Sequence, residues 1–171
     1  MAMQSESLAS SDKVEQFLSA TRAITMWIDG GWGVDALLRH QRREHTDIDI
    51  IIAAEDVAPL TTLLESLNYQ HVIRSGLVYL SPEGLLVDIH WVRFDARGYG
   101  HFDLSDGGSW PMPPSAFRGS GSIGATLVQC LSPEAQVQCH AQGYKPREKD
   151  LSDMKALQEK FEVVLPLALC R

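Results

Sequence analysis

The chain has 171 residues, 44% hydrophobic and 22% charged, which fits one globular domain or two compact lobes sharing a core. Three cysteines, Cys130, Cys139 and Cys170, lack CxxC spacing, so they fit neither a disulfide framework nor a zinc site and point to a reducing, cytoplasmic setting. The net charge of −7, from 22 acidic and 15 basic residues, argues against a nucleic-acid partner and suits a cationic small molecule or a metal-bound ligand.

From Met1 to Lys13 the chain is polar and Ser-rich with no apolar signal core, which predicts no secretion and a frayed stretch of about ten residues. No run approaches the roughly 18 consecutive apolar residues of a membrane span. A helix is expected over 12–23, with Val14, Phe17, Leu18 and Ile24 on its apolar face and Ser10 or Ser11 as its cap. Met26-Trp27-Ile28 reads as a strand that stops at Asp29-Gly30-Gly31, and Trp32 to Arg39 as a second helix. A charged turn over 39–45 leads into Thr46-Asp-Ile-Asp-Ile-Ile-Ile52, the strongest strand signal in the chain. An amphipathic helix over 55–67 is followed by strands at 69–74, 77–80 and 85–91, the last two joined through Pro82-Glu83-Gly84.

Residues 95–123 are rich in Gly, Pro and Ser and are expected to be loop-dominated, with short strands near 101–104 and, just beyond, 126–129. Ser132 caps a helix over 133–142, with Pro133 at its first position, and a last helix covers 148–161. The order implies a mixed α/β lobe, residues 1–125, followed by a small helical lobe, residues 126–171.

Three features carry chemistry. Asp47 and Asp49 lie two apart on a strand, so both carboxylates project from one face while Ile48 and Ile50 turn to the core. Their mutual repulsion is relieved by a divalent cation, and Mg²⁺ takes one or two carboxylates plus waters and substrate phosphates; a strand with one solvated face explains an Asp pair equally well. Gly30-Gly31 stands at a strand-to-helix junction, where glycine lets the backbone approach a phosphate and the helix end supplies free N–H groups. A plain turn would also use this pair, and it forms neither a dinucleotide fingerprint nor a P-loop. Asp88 interrupts the apolar run Leu85 to Trp91, a costly placement for a carboxylate without a partner or a task. It either completes a metal cluster, serves as a general base, or pairs with a nearby Arg or His.

The runs Trp27-Ile-Asp-Gly-Gly-Trp-Gly-Val-Asp-Ala-Leu-Leu38 and Gln41-Arg-Arg-Glu-His-Thr-Asp-Ile-Asp-Ile50 resemble the signature of the antibiotic nucleotidyltransferases. The likeness is strongest to small lincosamide nucleotidyltransferases and more distant to aminoglycoside nucleotidyltransferases. Asp88-Ile-His90, Leu131 to Gln136, Gly143-Tyr144 and Lys149 to Lys155 extend it over most of residues 15–160. The resemblance implies a polymerase-β-like nucleotidyltransferase fold of the α+β class, a mixed sheet flanked by helices. It implies that Asp47 and Asp49 hold Mg²⁺, that Gly30 and Gly31 contact the triphosphate of a nucleoside triphosphate such as ATP, and that Asp88 is the base. Arg43, His45 and Lys149 are candidates for supporting the phosphates. The expected reaction is transfer of AMP to a hydroxyl of a lincosamide antibiotic. The alternatives are an aminoglycoside acceptor, or a toxin-like enzyme acting on tRNA or protein, which the missing basic patch opposes. A non-catalytic module keeping this fold has no physical reason to retain a repelling Asp pair. Trp91, Tyr99, His101 and Trp110 are candidates for rimming the acceptor, and a half-open acceptor pocket leaves room for a homodimer.

Overall fold

The computed structural model describes residues 7–104, 106–142 and 145–170; Gly143-Tyr144, part of the resemblance, lies outside them. In chain order, α1 (Ser11–Ala20) is followed by β1 (Met26–Asp29), α2 (Gly30–Leu38) and β2 (Asp47–Ala53). A one-turn 3₁₀ helix opens α3 (Val57–Ser66), and β3 (Gln70–Val72), β4 (Leu77–Leu80) and β5 (Leu86–Phe94) come next. Then β6 (Gly100–Asp103) and β7 (Ser109–Met112) form a hairpin, and a 3₁₀ turn over Pro114–Arg118 leads to β8 (Gly119–Ile123) and β9 (Thr126–Cys130). The chain continues through α4 (Pro133–Ala141) and α5 (Glu148–Phe161).

The strands form one mixed sheet in the order β3-β4-β5-β2-β1-β9-β8, with the β6–β7 hairpin branching from β5. This is an α+β fold, a mixed sheet with helices against it. In the centre, β2 runs parallel to β5 and antiparallel to β1. The division expected at residue 125 falls in the turn between β8 and β9, and β9 returns to pair with β1.

Alternation along the central strands separates two faces. Ile28, Ile48, Ile50, Ile52, Val87 and Ile89 point into the main core, shared with Phe17 of α1, Val34 and Leu37 of α2, Leu60 and Leu64 of α3, and Met154 and Leu157 of α5. Burying each such side chain stabilises the fold by about 1.5–3 kcal/mol. On the opposite face, Ile51 and Val92 join Met112, Ala116, Leu131 and Ala135 in a second apolar cluster, with Trp27 against its rim. The carboxylates at Asp29, Asp47, Asp49 and Asp88 occupy this second face, so they stand beside an apolar wall.

Two segments differ from expectation. Residues 95–123 hold β7 and β8 as well as the anticipated strand near 101. Pro111 interrupts β-propensity, but it pairs with His101 on a strand that is bonded on one side only, where a missing N–H costs nothing. In β8, Gly119-Ser-Gly-Ser-Ile reads as a linker, yet a Cβ on Gly121 would collide with the Ala36 carbonyl of α2. The glycine is a packing requirement of an edge strand. Of the stretch expected to be frayed, residues 1–6 lie outside the described residues; beyond them Ala9 is buried, its N–H donating to the His45 carbonyl at 2.8 Å. Among the described residues, no helix is long and apolar enough to cross a membrane.

Candidate active site

Strand register builds the site. Asp29 of β1 stands opposite Asp49 of β2, and Asp49 stands opposite Asp88 of β5, so three adjacent strands carry three carboxylates in one row. Asp47 lies two residues before Asp49 on the same face. Asp29 Oδ1 and Asp88 Oδ1 are buried and have no hydrogen-bond partner. His90, also on this face, sets its Nε2 at 3.6 Å from Asp88 Oδ1 and 3.8 Å from Asp49 Oδ1. One donor atom each from Asp49, Asp88 and His90 lies within 4.8 Å of the others.

The electrostatics follow from crowding like charges beside an apolar wall. Burial, then the Asp49 charge, raises the carboxyl of Asp29 above the usual range, and the same two causes raise Asp47. Burial also raises Asp88; Asp49 and Asp47 add to it, against the opposing pull of His90. Burial pulls His90 down, but Asp49 and Asp88 outweigh it and hold the imidazolium up at about 9. Among the described residues, no Lys or Arg forms an ion pair with Asp29, Asp47, Asp49 or Asp88.

Beside this row opens a cleft of about 510 Å³. Its floor is the junction of β1 and α2, where Gly30 adopts a φ of 61°. A Cβ at Gly30 would collide with the Asp49 carboxylate, and one at Gly31 with the side chains of Arg43 and His45. Both glycines are therefore fixed by close approach, and the first also by its left-handed backbone. One wall is the turn between α2 and β2, and the other is formed by Cys139 and His140 of α4 with Arg147, Lys149 and Asp150 at the start of α5.

Every expected nucleotide-side residue lines this cleft: Gly30, Gly31, Arg43, His45, Asp47, Asp49 and Lys149. Asp88 flanks Asp49 one strand further along the row. Arg43 is also paired across the cleft wall, its guanidinium donating to Asp153 of α5 at 2.9 and 3.2 Å. His45 is buried, with Nε2 at 2.6 Å from Asp35 Oδ2 and its ring 4.7 Å from that of Trp32. Asp35 and Trp32 thus lock the ring beside Gly31.

The four aromatic candidates for an acceptor rim lie outside the cleft lining. Trp91 is on the opposite face of β5 from Asp88 and His90, Tyr99 sits under Arg97, and Trp110 packs on Phe102. His101 is bonded to Asp95 at 3.1 Å.

Sequence reasoning gave no role to Asp29, His90, Asp35 or His140. For His90 a signal existed, since it lies two residues beyond Asp88 and must share its face. Asp29 carried none, because its place in the row depends on which strands pair.

Carboxylates aligned on neighbouring strands, next to a glycine-bearing helix N-terminus and a polar cleft that also holds Arg43, Arg147 and Lys149, define the chain as a nucleotidyltransferase. It belongs to the aminoglycoside-2''-adenylyltransferase family, whose model matches residues 13–157. The chain is 33% identical to a lincosamide resistance protein of Staphylococcus haemolyticus over 79% of its own length and 84% of that protein's. With a 2''-aminoglycoside nucleotidyltransferase of Klebsiella pneumoniae it shares 38% identity over 71% of this chain and 67% of the relative. The lincomycin-bound crystal structure of the lincosamide antibiotic adenylyltransferase LnuA superposes with a TM-score of 0.72 at 29% identity, covering 86% of this chain and 94% of that one. The structure of ANT(2'')-Ia in complex with adenylyl-2''-tobramycin agrees in fold, with a TM-score of 0.67 at 20% identity over 88% of each chain.

Proposed function

We propose that this chain transfers AMP from ATP to a hydroxyl of a lincosamide antibiotic and thereby inactivates it. The observation that carries the reading is the row Asp29–Asp49–Asp88, with Asp47 beside it, at the mouth of a cleft floored by Gly30 and Gly31. The lincosamide acceptor is supported by the coverage of the S. haemolyticus protein and by the likeness to the lincomycin-bound enzyme. Asp47 and Asp49 suit Mg²⁺: they are same-face carboxylates free of Lys or Arg ion pairs among the described residues, next to buried carboxylate oxygens with no hydrogen-bond partner. Bound there with the triphosphate, the ion would neutralise phosphate oxygens and align the in-line attack.

The rest is work for the chain's own groups. The free N–H groups at the start of α2, approached closely because Gly30 and Gly31 lack side chains, receive phosphate oxygens. Lys149 and His45 face the same cleft and add positive or polar contacts. Asp88, its basicity raised by burial and by Asp49, takes the proton of the acceptor hydroxyl. The acceptor oxygen forms its bond to the α-phosphorus, the bond to the β-phosphate oxygen breaks, and pyrophosphate leaves. Asp88→Asn keeps the shape and removes the base. Turnover should fall by about 10²–10⁴-fold while ATP affinity stays near wild type. Equal losses in turnover and ATP affinity would make Asp88 a ligand instead.

An aminoglycoside hydroxyl is the second reading. The family model, the K. pneumoniae relative and the net charge of −7 favour it, since cationic acceptors are drawn to an acidic protein.

A further inference from the structure

We infer that Arg74, on the turn between β3 and β4, is a specificity-determining residue: from the acceptor's side of Asp88 it turns away polycationic molecules and admits one that carries a single amine. The inference rests on the proposed function for where the acceptor lies, and goes beyond it in naming what selects the acceptor. In-line transfer puts the attacking and leaving oxygens on opposite sides of the phosphorus. The cleft that receives the triphosphate is floored by Gly30 and Gly31, and Asp88 stands outside its lining. Asp88 has β2 on one flank and β4 on the other. The β2 flank faces the cleft, so the acceptor hydroxyl reaches Asp88 over the β4 flank. Val78 of β4 stands opposite Asp88, and two residues earlier Gly76 comes so near that a Cβ on it would lie 3.7 Å from Asp88 Oδ1. The turn over 73–76 is therefore the rim on that flank.

Arg74 supplies the charge of this rim. It is exposed, and among the described residues it forms no ion pair, so no carboxylate neutralises it. Its charge is felt at Asp88, where it opposes the rise that burial causes. Ile73 beside it is 97% exposed, so the rim pairs one cation with one apolar side chain. An aminoglycoside carries several ammonium groups and would press like charges against Arg74. A lincosamide carries one basic amine, and its amide and hydroxyl oxygens can accept hydrogen bonds from a guanidinium. Related ligands are separated by a repulsive element as well as an attractive one. The net charge of −7 draws in both classes from a distance, and Arg74 decides between them at contact, where salt screens least.

Acceptor kinetics at saturating ATP and Mg²⁺ test this, with lincomycin and tobramycin compared in wild type, Arg74→Lys, Arg74→Glu and Arg22→Glu. Arg22 is exposed and lies between α1 and β1, at the end of β1 remote from Asp29, so its reversal changes the net charge equally without touching the rim. In Arg74→Glu the ratio of kcat/KM for tobramycin to that for lincomycin should rise by about tenfold or more, chiefly through KM, because the reversed charge turns repulsion into attraction. Arg74→Lys should keep most of the wild-type preference, and the KM for ATP should stay the same throughout. An unchanged ratio in Arg74→Glu, or an equal rise in Arg22→Glu, overturns the inference. If no protein transfers to any acceptor, the reading as an antibiotic-modifying enzyme falls, and calorimetry with tobramycin still tests the rim. Arg74→Glu should then bind it about tenfold tighter than Arg22→Glu does, and equal affinities overturn the inference.

Discussion

Gly30 joins backbone and chemistry in one residue. Its φ of 61° strains any other side chain, and a Cβ there would push into the Asp49 carboxylate. Gly30→Ala should therefore destabilise the protein by about 1 kcal/mol or more and displace Asp49. The expected outcome is loss of transfer activity larger than the fall in thermal midpoint accounts for. Asp47→Asn should act in the opposite sense on stability. It removes one of several charges held close together, so the metal-free variant should melt roughly 2–4 °C above wild type while losing transfer. A variant that keeps wild-type activity would remove Asp47 from the site. Asp47 and Asp49 could be assigned to one face from their spacing alone, because the period of a strand is fixed. Asp29 could not, since its alignment with Asp49 exists only once β1 and β2 have paired. Arg43 likewise shows what spacing leaves out: it lines the cleft, and its ion pair with Asp153 depends on how α5 packs.

At the scale of elements, the link between α5 and the turn preceding β2 shapes the cleft wall. Asp153 is 1% exposed and receives both Arg42, at 3.2 Å, and Arg43, at 2.9 Å. Removing it leaves two guanidinium groups that can still reach water, so the cost stays below that of a fully buried pair. Asp153→Ala should lower stability by about 1–2 kcal/mol, a fall of roughly 2–8 °C in thermal midpoint. Nucleotide affinity should fall with it, because the turn carries His45 and leads into Asp47. Differential scanning fluorimetry with and without nucleotide checks both. Helices and central strands followed from periodicity, and α5 matches its expected span. The strands β7 and β8 did not, because Pro111 and the Gly-Ser run carry little β-propensity and are held by edge pairing and by contact with α2.

For the whole molecule, the carboxylate row sets a dependence on pH. In Asp29, Asp47 and Asp88 the folded-state carboxyl titrates above the ordinary value of 3.8. Between that value and the raised one, the folded state holds more protons than the unfolded state, so stability falls as pH rises through this window. His90 works in the same direction, its contribution complete below 6.5 and lost as pH climbs through about 9. The metal-free protein should thus melt at progressively lower temperature as pH rises from 6.5 to about 9. Elsewhere, the His101 hydrogen bond holds Asp95 down to about 2, so its contribution is present above 3.8 and disappears only in stronger acid. A metal-free melting profile flat between pH 6.5 and 9 would contradict the electrostatic picture of the row.

The claim that ties these scales together is nucleotidyl transfer to an antibiotic hydroxyl, and mass spectrometry of the acceptor tests it directly. Purified protein, Mg²⁺ and each ribonucleoside triphosphate would be incubated with lincomycin, clindamycin and a panel of aminoglycosides. The account predicts that ATP yields a lincosamide heavier by one AMP, with pyrophosphate released and no product from Asp47→Asn. Absence of an adduct on every acceptor with every triphosphate would contradict it.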